Sequence, residues 1–82
     1  MTWDEIKQSG SEHYKTGTVE PIDLLRDLKP DPSLTALEVK ALTDNIKYSF
    51  RMLQKGTNTK DLAKIQHYTA MCQWRLQGDD NQ

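Results

Sequence analysis

The feature that most constrains the fold of this chain is a long run of helical apolar periodicity over residues 36–55. Thr35 and Glu38 form a capping box at its start, and Gly56 supplies a left-handed cap at its end. Apolar residues recur there at steps of three and four, the spacing of one helix face. That stripe consists of Val39, Leu42, Ile46, Phe50 and Leu53.

A second helical run follows after only a few residues. It is predicted over residues 60–77, with Thr59 as its N-cap and Gly78 after its end. Two amphipathic helices joined by so short a turn predict an antiparallel hairpin. Tyr68, Met71 and Trp74 widen the apolar side of this second helix, which predicts contact with another chain as well as with its neighbour.

Two shorter helices are predicted ahead of the hairpin, one within residues 1–10 and one over residues 21–28. Pro21 suits the first position of a helix because its missing amide would have no partner there. Residues 11–20 contain no apolar period and are interpreted as a functional loop, and residues 79–82 as a disordered tail. The expected fold is therefore all-α: a single domain of about four helices.

Length and composition indicate a domain that gains stability from association. The chain has 82 residues, of which 35% are hydrophobic, and chains of this size bury little apolar surface alone. We therefore expect a homo-oligomer. The formal net charge of −1 argues against a protein that coats DNA or RNA, and no apolar run predicts a membrane span. A cytoplasmic protein is expected.

The sequence predicts neither a metal site, nor a cofactor, nor a catalytic residue. His67 and Cys72 are five residues apart and would diverge on a helix, and the single cysteine is interpreted as a small core residue. Glu20 and Asp23 offer two carboxylates one turn apart, which suit either magnesium or the start of a helix. The helix-start interpretation is favoured.

Two polar clusters are the candidate ligand-binding residues. Lys47 and Arg51 are four residues apart in the long helix, so that their charged groups can converge on one anion, and Tyr48 is adjacent. The loop contributes the second cluster: His13, Tyr14 and Lys15. Aromatic faces stack on bases, and guanidinium groups bind phosphates in a bidentate manner. The alternative interpretation is a solvated helix face carrying ordinary surface charges.

The order of these motifs resembles a small phage domain of unknown function. That family has a His-Tyr pair and a Glu-Pro-Ile-Asp segment before a helix with the pattern Asn-x-Ile-Lys-Tyr-x-x-Arg. The resemblance spans residues 13–68 and rests on His13-Tyr14, Glu20 to Asp23, and Asn45 to Arg51. It departs from the family beside Asn45, where the usual glycine is missing, and in a longer connector between the two halves.

The resemblance implies a phage protein that contacts nucleotides, since a member of the family is regarded as a nucleotide kinase. By analogy with small helical phage sponges, we expect a protein that sequesters a nucleotide signal of host immunity, either a cyclic oligonucleotide or an ADP-ribose-type molecule. It would act in the host bacterial cytoplasm. Two alternatives stay open: a nucleoside monophosphate kinase or nucleotide hydrolase, and a module that binds a host protein through its exposed helix surface.

Overall fold

The structure, a computed structural model, describes residues 1–10 and 18–78 and contains four helices in that part of the chain. They are α1 (Trp3–Gly10), α2 (Pro21–Asp27), α3 (Ala36–Lys55) and α4 (Thr59–Gln77). No strand occurs in the described ranges, so the predicted all-α fold is confirmed. The predicted tail and most of the predicted loop lie outside the described residues.

The ends of α3 follow the capping chemistry predicted for them. The Thr35 hydroxyl accepts a hydrogen bond from the Glu38 amide at 3.2 Å, and the Glu38 carboxylate accepts one from the Thr35 amide at 2.9 Å. Gly56 ends the helix with a φ of 93°, a region that favours glycine, and its amide donates to the Met52 carbonyl at 2.8 Å.

The N-cap of α4 differs from the prediction. Thr59 is the first helical residue, and Asn58 is the cap. The Asn58 side-chain oxygen accepts a hydrogen bond from the Asp61 amide at 2.8 Å, while its side-chain NH2 donates to the Asp61 carboxylate at 3.0 Å. Because one residue satisfies both the backbone and the first-turn carboxylate, Asn58 is the better cap.

The α3–α4 hairpin is the main packing unit, as predicted. Tyr48 and Tyr68 stack between the two helices with ring centroids 6.3 Å apart, and the Asn45 side-chain NH2 donates to the Thr69 hydroxyl at 3.2 Å. Ala41 is completely buried, and it is the one buried apolar residue in the described ranges. The hairpin therefore has a seam of contacts rather than a closed core.

α2, α3 and α4 form one layer of helices, because α3 contacts both α2 and α4 while α2 and α4 do not contact each other. The shortest dimension of the structure is 16 Å. The predicted α3 stripe accordingly does not point at α4: Leu42 is 43% exposed and Leu53 is 86% exposed. No helix of the described residues is long and apolar enough to cross a membrane.

Asp23 joins α1 to the start of α2. Its carboxylate accepts hydrogen bonds from the Trp3 indole at 2.5 Å, from the Lys7 ammonium at 2.9 and 3.1 Å, and from the Glu20 amide at 2.6 Å. The Lys7 side chain is only 3% exposed. These bonds, with the Lys7 ammonium foremost, lower the pKa of Asp23 from 3.8 to about 2.

Candidate functional site

Lys47 and Arg51, two of the three predicted α3 residues, border a groove of about 400 Å³ between α2 and α3, whereas Tyr48 packs against Tyr68 of α4 and does not line it. Cavities of this volume hold small ligands in other proteins. The groove is lined by the first turn of α2 and by one side of α3: Glu20, Pro21, Ile22, Leu25, Thr43, Asp44, Lys47, Phe50, Arg51, Gln54 and Lys55.

Three cations follow one another along the α3 wall of this groove. Lys47, Arg51 and Lys55 are spaced by four residues, so that they lie one above the other on a helix surface. In the described part of the chain, no carboxylate oxygen lies within 4.0 Å of the Lys47 or Lys55 ammonium. This wall is therefore positively charged, and two of its three cations have no ion-pair partner among the described residues.

Arg51 has a structural partner as well as a place in the groove. Its guanidinium lies 3.4 Å from the Asp61 carboxylate, whose side chain is 4% exposed at the start of α4. A guanidinium has five N–H donors, so this single contact leaves most of them available. Arg51 thus ties the end of α3 to α4 and still presents donors at the groove.

Tyr48 lies among these cations. The Lys47 ammonium is 4.9 Å from the centroid of its ring, and the Arg51 guanidinium is 5.5 Å from the same centroid. Such distances give favourable cation–π contacts. Since Tyr68 also stacks on Tyr48, the ring contacts three side chains of the protein and helps to position Lys47 and Arg51. That Tyr48 stacks on a bound base stays a prediction.

Two carboxylates border the same groove, and one of them is paired. The Lys40 ammonium lies 2.6 Å from the Asp44 carboxylate, and this hydrogen bond lowers the pKa of Asp44. Asp44 is therefore ionised at neutral pH but compensated. The backbone of Glu20, the second acidic residue, takes part in the helix cap with Asp23.

The opposite wall of the groove is mainly apolar and has one acidic residue, Glu20, at its end. It consists of Glu20, Pro21, Ile22 and Leu25 at α2, and Phe50 of α3 also lines the groove. The groove thus sets a row of cations beside an apolar surface. A ligand with a phosphate at one end and a flat ring at the other matches that arrangement.

In the structure Asp23 serves the start of α2, the interpretation that the sequence favours over a magnesium site. Asp23 accepts from three donors and carries the capping bond of α2, which confirms its interpretation as a helix-start residue. In residues 1–10 and 18–78, no three histidine, cysteine or acidic side chains converge as metal ligands would.

The predicted loop cluster cannot be placed relative to this groove. His13, Tyr14 and Lys15 lie outside the described residues, and their roles stay predictions. Of the six predicted ligand-binding residues, the structure brings Lys47, Tyr48 and Arg51 together.

Sequence reasoning missed Lys55 and the apolar wall. Lys55 continues the four-residue spacing of Lys47 and Arg51, so the signal was present in the sequence. The wall has no comparable signal, because it depends on where α2 packs. The roles of Trp3 and Lys7 in holding Asp23 were missed for the same reason.

Comparison with known proteins gives one family. A family model matches residues 7–70, more than three quarters of the chain. The chain belongs to the DUF3310 family of proteins of unknown function. The matched residues of this DUF3310 protein include the whole groove and Asp23 with its Lys7 partner. No curated protein and no solved structure matches the chain.

Proposed function

We propose that this DUF3310 protein binds a nucleotide in the α2–α3 groove and holds it without changing it chemically. The observation that carries the proposal is the row of Lys47, Arg51 and Lys55 facing an apolar wall across a groove of about 400 Å³. A nucleotide has both parts that such a groove would bind: a phosphate for the cations and a planar base for the wall.

In this proposal the phosphate of the ligand contacts the three cations. Lys47 and Lys55 have no carboxylate within 4.0 Å among the described residues, so a phosphate would meet ammonium groups that are not held in an ion pair. Arg51 adds N–H donors beyond the one near Asp61. Charge-assisted hydrogen bonds of this kind are about twice as strong as neutral ones.

The base of the ligand contacts the apolar residues of the groove. Ile22, Leu25 and Phe50 offer contacts that any base can use, because stacking and apolar contact depend little on base identity. Tyr48 would contribute indirectly, because its ring keeps the Lys47 ammonium and the Arg51 guanidinium in place through cation–π contacts. His13, Tyr14 and Lys15 remain ligand-binding residues predicted from the sequence.

The resemblance to small phage proteins narrows the ligand class. In this proposal the ligand is a signalling nucleotide of bacterial immunity, either a cyclic oligonucleotide or an ADP-ribose-type molecule. The protein would sequester it in the host bacterial cytoplasm and so counter defence against the phage. Holding is favoured over reaction because the groove's cations suit binding and one of its two carboxylates, Asp44, is paired with Lys40.

Isothermal titration calorimetry with cyclic dinucleotides, ADP-ribose derivatives and mononucleotides tests the proposal. Binding of one class at micromolar concentration or tighter is expected. Lys47→Ala or Lys55→Ala should each weaken it about tenfold or more, since a hydrogen bond to a charged group contributes roughly 1.5–3 kcal/mol. These lysines are better probes than Arg51, whose loss would also leave the buried Asp61 carboxylate without its ion-pair partner.

Lys29→Ala is the matched control, because it removes the same charge from an exposed position in the connector, outside the groove. It should leave the affinity unchanged. If no nucleotide binds, or if Lys29→Ala weakens binding as much as Lys47→Ala, the groove is not the site.

Recovery of the ligand decides between holding and turnover. After long incubation with magnesium and a nucleoside triphosphate, the bound nucleotide should return unchanged in chromatography. A phosphorylated or hydrolysed product would replace the sequestration proposal with the kinase or hydrolase alternative.

An interaction module is the other candidate, and one observation favours it. Trp74 is 53% exposed and borders a shallow apolar patch with Leu37 and Met71. It lies near the end of α4, whereas Arg51 contacts the start of that helix. In that case, replacing Lys47 and Arg51 with glutamate would leave function intact, whereas Trp74→Ala would abolish it.

A further inference from the structure

We infer that two copies of this chain associate through one face of the α3–α4 hairpin to form a four-helix bundle. This face, called the uncharged face below, lies on the other side of α3 from the cation row. It is defined by Leu42, Asn45, Ser49 and Leu53 of α3 and by Leu62 and Thr69 of α4.

The two helices contribute to the same face. The four α3 residues line one open groove of about 520 Å³, at helical steps of three and four. The hydrogen bond of 3.2 Å from Asn45 to Thr69 places the Thr69 side of α4 beside that groove. Leu62 lies seven residues before Thr69, two helical turns away, and therefore on the same side of α4.

The uncharged face is distinguished by the absence of charged side chains among its defining residues. None of its six defining residues is charged, whereas the other side of α3 carries Lys47, Arg51 and Lys55. Glu38, seven residues before Asn45 and on the same side of α3, is buried and lies 3.9 Å from the Arg75 guanidinium, so its charge is compensated. Depletion of charge is the compositional mark of the centre of a protein–protein interface. A nucleic acid would require the opposite, a basic surface.

The leucines of this face are among the apolar groups that the single chain leaves uncovered. Leu42 and Leu62 are close to half exposed and Leu53 is 86% exposed, while Ala41 is the one fully buried apolar residue in the described ranges. A layer one helix thick cannot cover both of its sides. Covering the uncharged face with another chain would supply the apolar core that the single chain lacks.

The size of the face fits a second copy. α3 has 20 residues and is therefore about 30 Å long, and two helices side by side are about 20 Å wide. The face then measures about 600 Å² per chain, and a pair would bury about 1,200 Å², the lower end of specific stable interfaces. Two hairpins packed face to face are the arrangement of a four-helix bundle, and two uncharged faces are compatible with each other across a two-fold axis.

Sedimentation equilibrium of the purified chain tests this inference. The expected mass is that of two chains at about 100 µM, a concentration above the micromolar dissociation constants of weaker interfaces of this size. Leu53→Glu should raise the dissociation constant about 100-fold or more, because the substitution acts twice in a symmetric pair. Leu53 makes so few contacts within its own chain that the helical circular dichroism should be preserved.

Leu28→Glu is the matched control, since it makes the same substitution at a half-exposed leucine at the end of α2, outside the groove of the uncharged face. It should keep the mass of two chains. A single-chain mass for the unchanged protein overturns the inference, and so does a pair that survives Leu53→Glu or is dissociated equally by Leu28→Glu.

The outcome is separable from the proposed function. Lys47→Ala should weaken nucleotide binding and leave the mass of two chains unchanged. Loss of nucleotide binding with an intact pair therefore counts against the groove alone, and a monomer that binds nucleotide counts against the uncharged face alone.

Discussion

Asp23 shows how one carboxylate can organise two helices. It accepts hydrogen bonds from Trp3 and Lys7 of α1 and from the Glu20 amide at the start of α2. A carboxylate without these donors would have its ordinary pKa of 3.8, whereas the pKa of Asp23 is lowered to about 2. The stabilisation that it provides is therefore tied to its negative charge.

Asp23→Asn should lower the urea midpoint of unfolding and weaken the attachment of α1 to the start of α2. Asparagine has no charge to compensate the Lys7 ammonium, which is 3% exposed and would lose its ion pair with Asp23. Urea denaturation followed by tryptophan fluorescence at about pH 6, where carboxylates are ionised, measures the change. Asp27→Asn, at a side chain 72% exposed, is the control and should have a much smaller effect.

The pH dependence of this contribution has a definite sign. Because the folded pKa lies below the unfolded one, the stabilisation by Asp23 is complete above about pH 4 and is lost as the pH falls towards about 2. The difference in urea midpoint between the unchanged protein and Asp23→Asn should therefore shrink over that range. A difference that stays constant down to pH 2 would show that the charge of Asp23 does not stabilise the fold.

At the scale of helices, the chain encodes its boundaries more clearly than its contacts. Pro21, the Thr35–Glu38 pair and Gly56 mark ends that the structure confirms, because each acts on backbone groups a few residues away. The start of α4 was placed one residue late, since both Asn58 and Thr59 are good cap residues. The spacing of Asn58 from Asp61 distinguishes them, because it lets one side chain bond to both the amide and the carboxylate of Asp61.

Asn58→Ala should lower the free energy of unfolding by about 1 kcal/mol, the usual loss for an N-cap. Thr59→Ala should change it by much less, because Thr59 is the first residue of the helix and not its cap. Chemical denaturation of both variants measures the difference. Equal losses, or a larger loss for Thr59→Ala, would place the cap where the sequence first suggested.

The packing directions of the helices could not be predicted with the same success. The apolar stripe of α3 is wide, and periodicity alone does not say which part of it faces α4, which part faces α2 and which part stays open. Leu42 and Leu53 belong to that stripe and are nevertheless exposed. Likewise, the spacing of Lys47 and Arg51 predicted a shared cation site, but the apolar wall opposite them follows from the placement of α2.

At the scale of the whole molecule, a layer with one charged and one uncharged side makes stability depend on association. If two copies share the uncharged face, the folded pair is favoured by mass action as the protein concentration rises. The thermal midpoint should therefore increase measurably between about 5 and 100 µM, a range that spans micromolar dissociation. Differential scanning calorimetry at both concentrations checks this, and Leu53→Glu should have a midpoint that does not change with concentration.

α2 borders both sides of this layer. Leu24 lines the groove of the uncharged face, while Ile22 and Leu25 line the groove beside the cations, and Asp23 between them is held by α1. α2 has only seven residues, so a rigid shift of this helix would move all of these side chains together. A ligand that shifts α2 from one groove would therefore change the free energy of binding at the opposite groove. By thermodynamic linkage, binding at that opposite groove would change the affinity for the ligand by the same free energy.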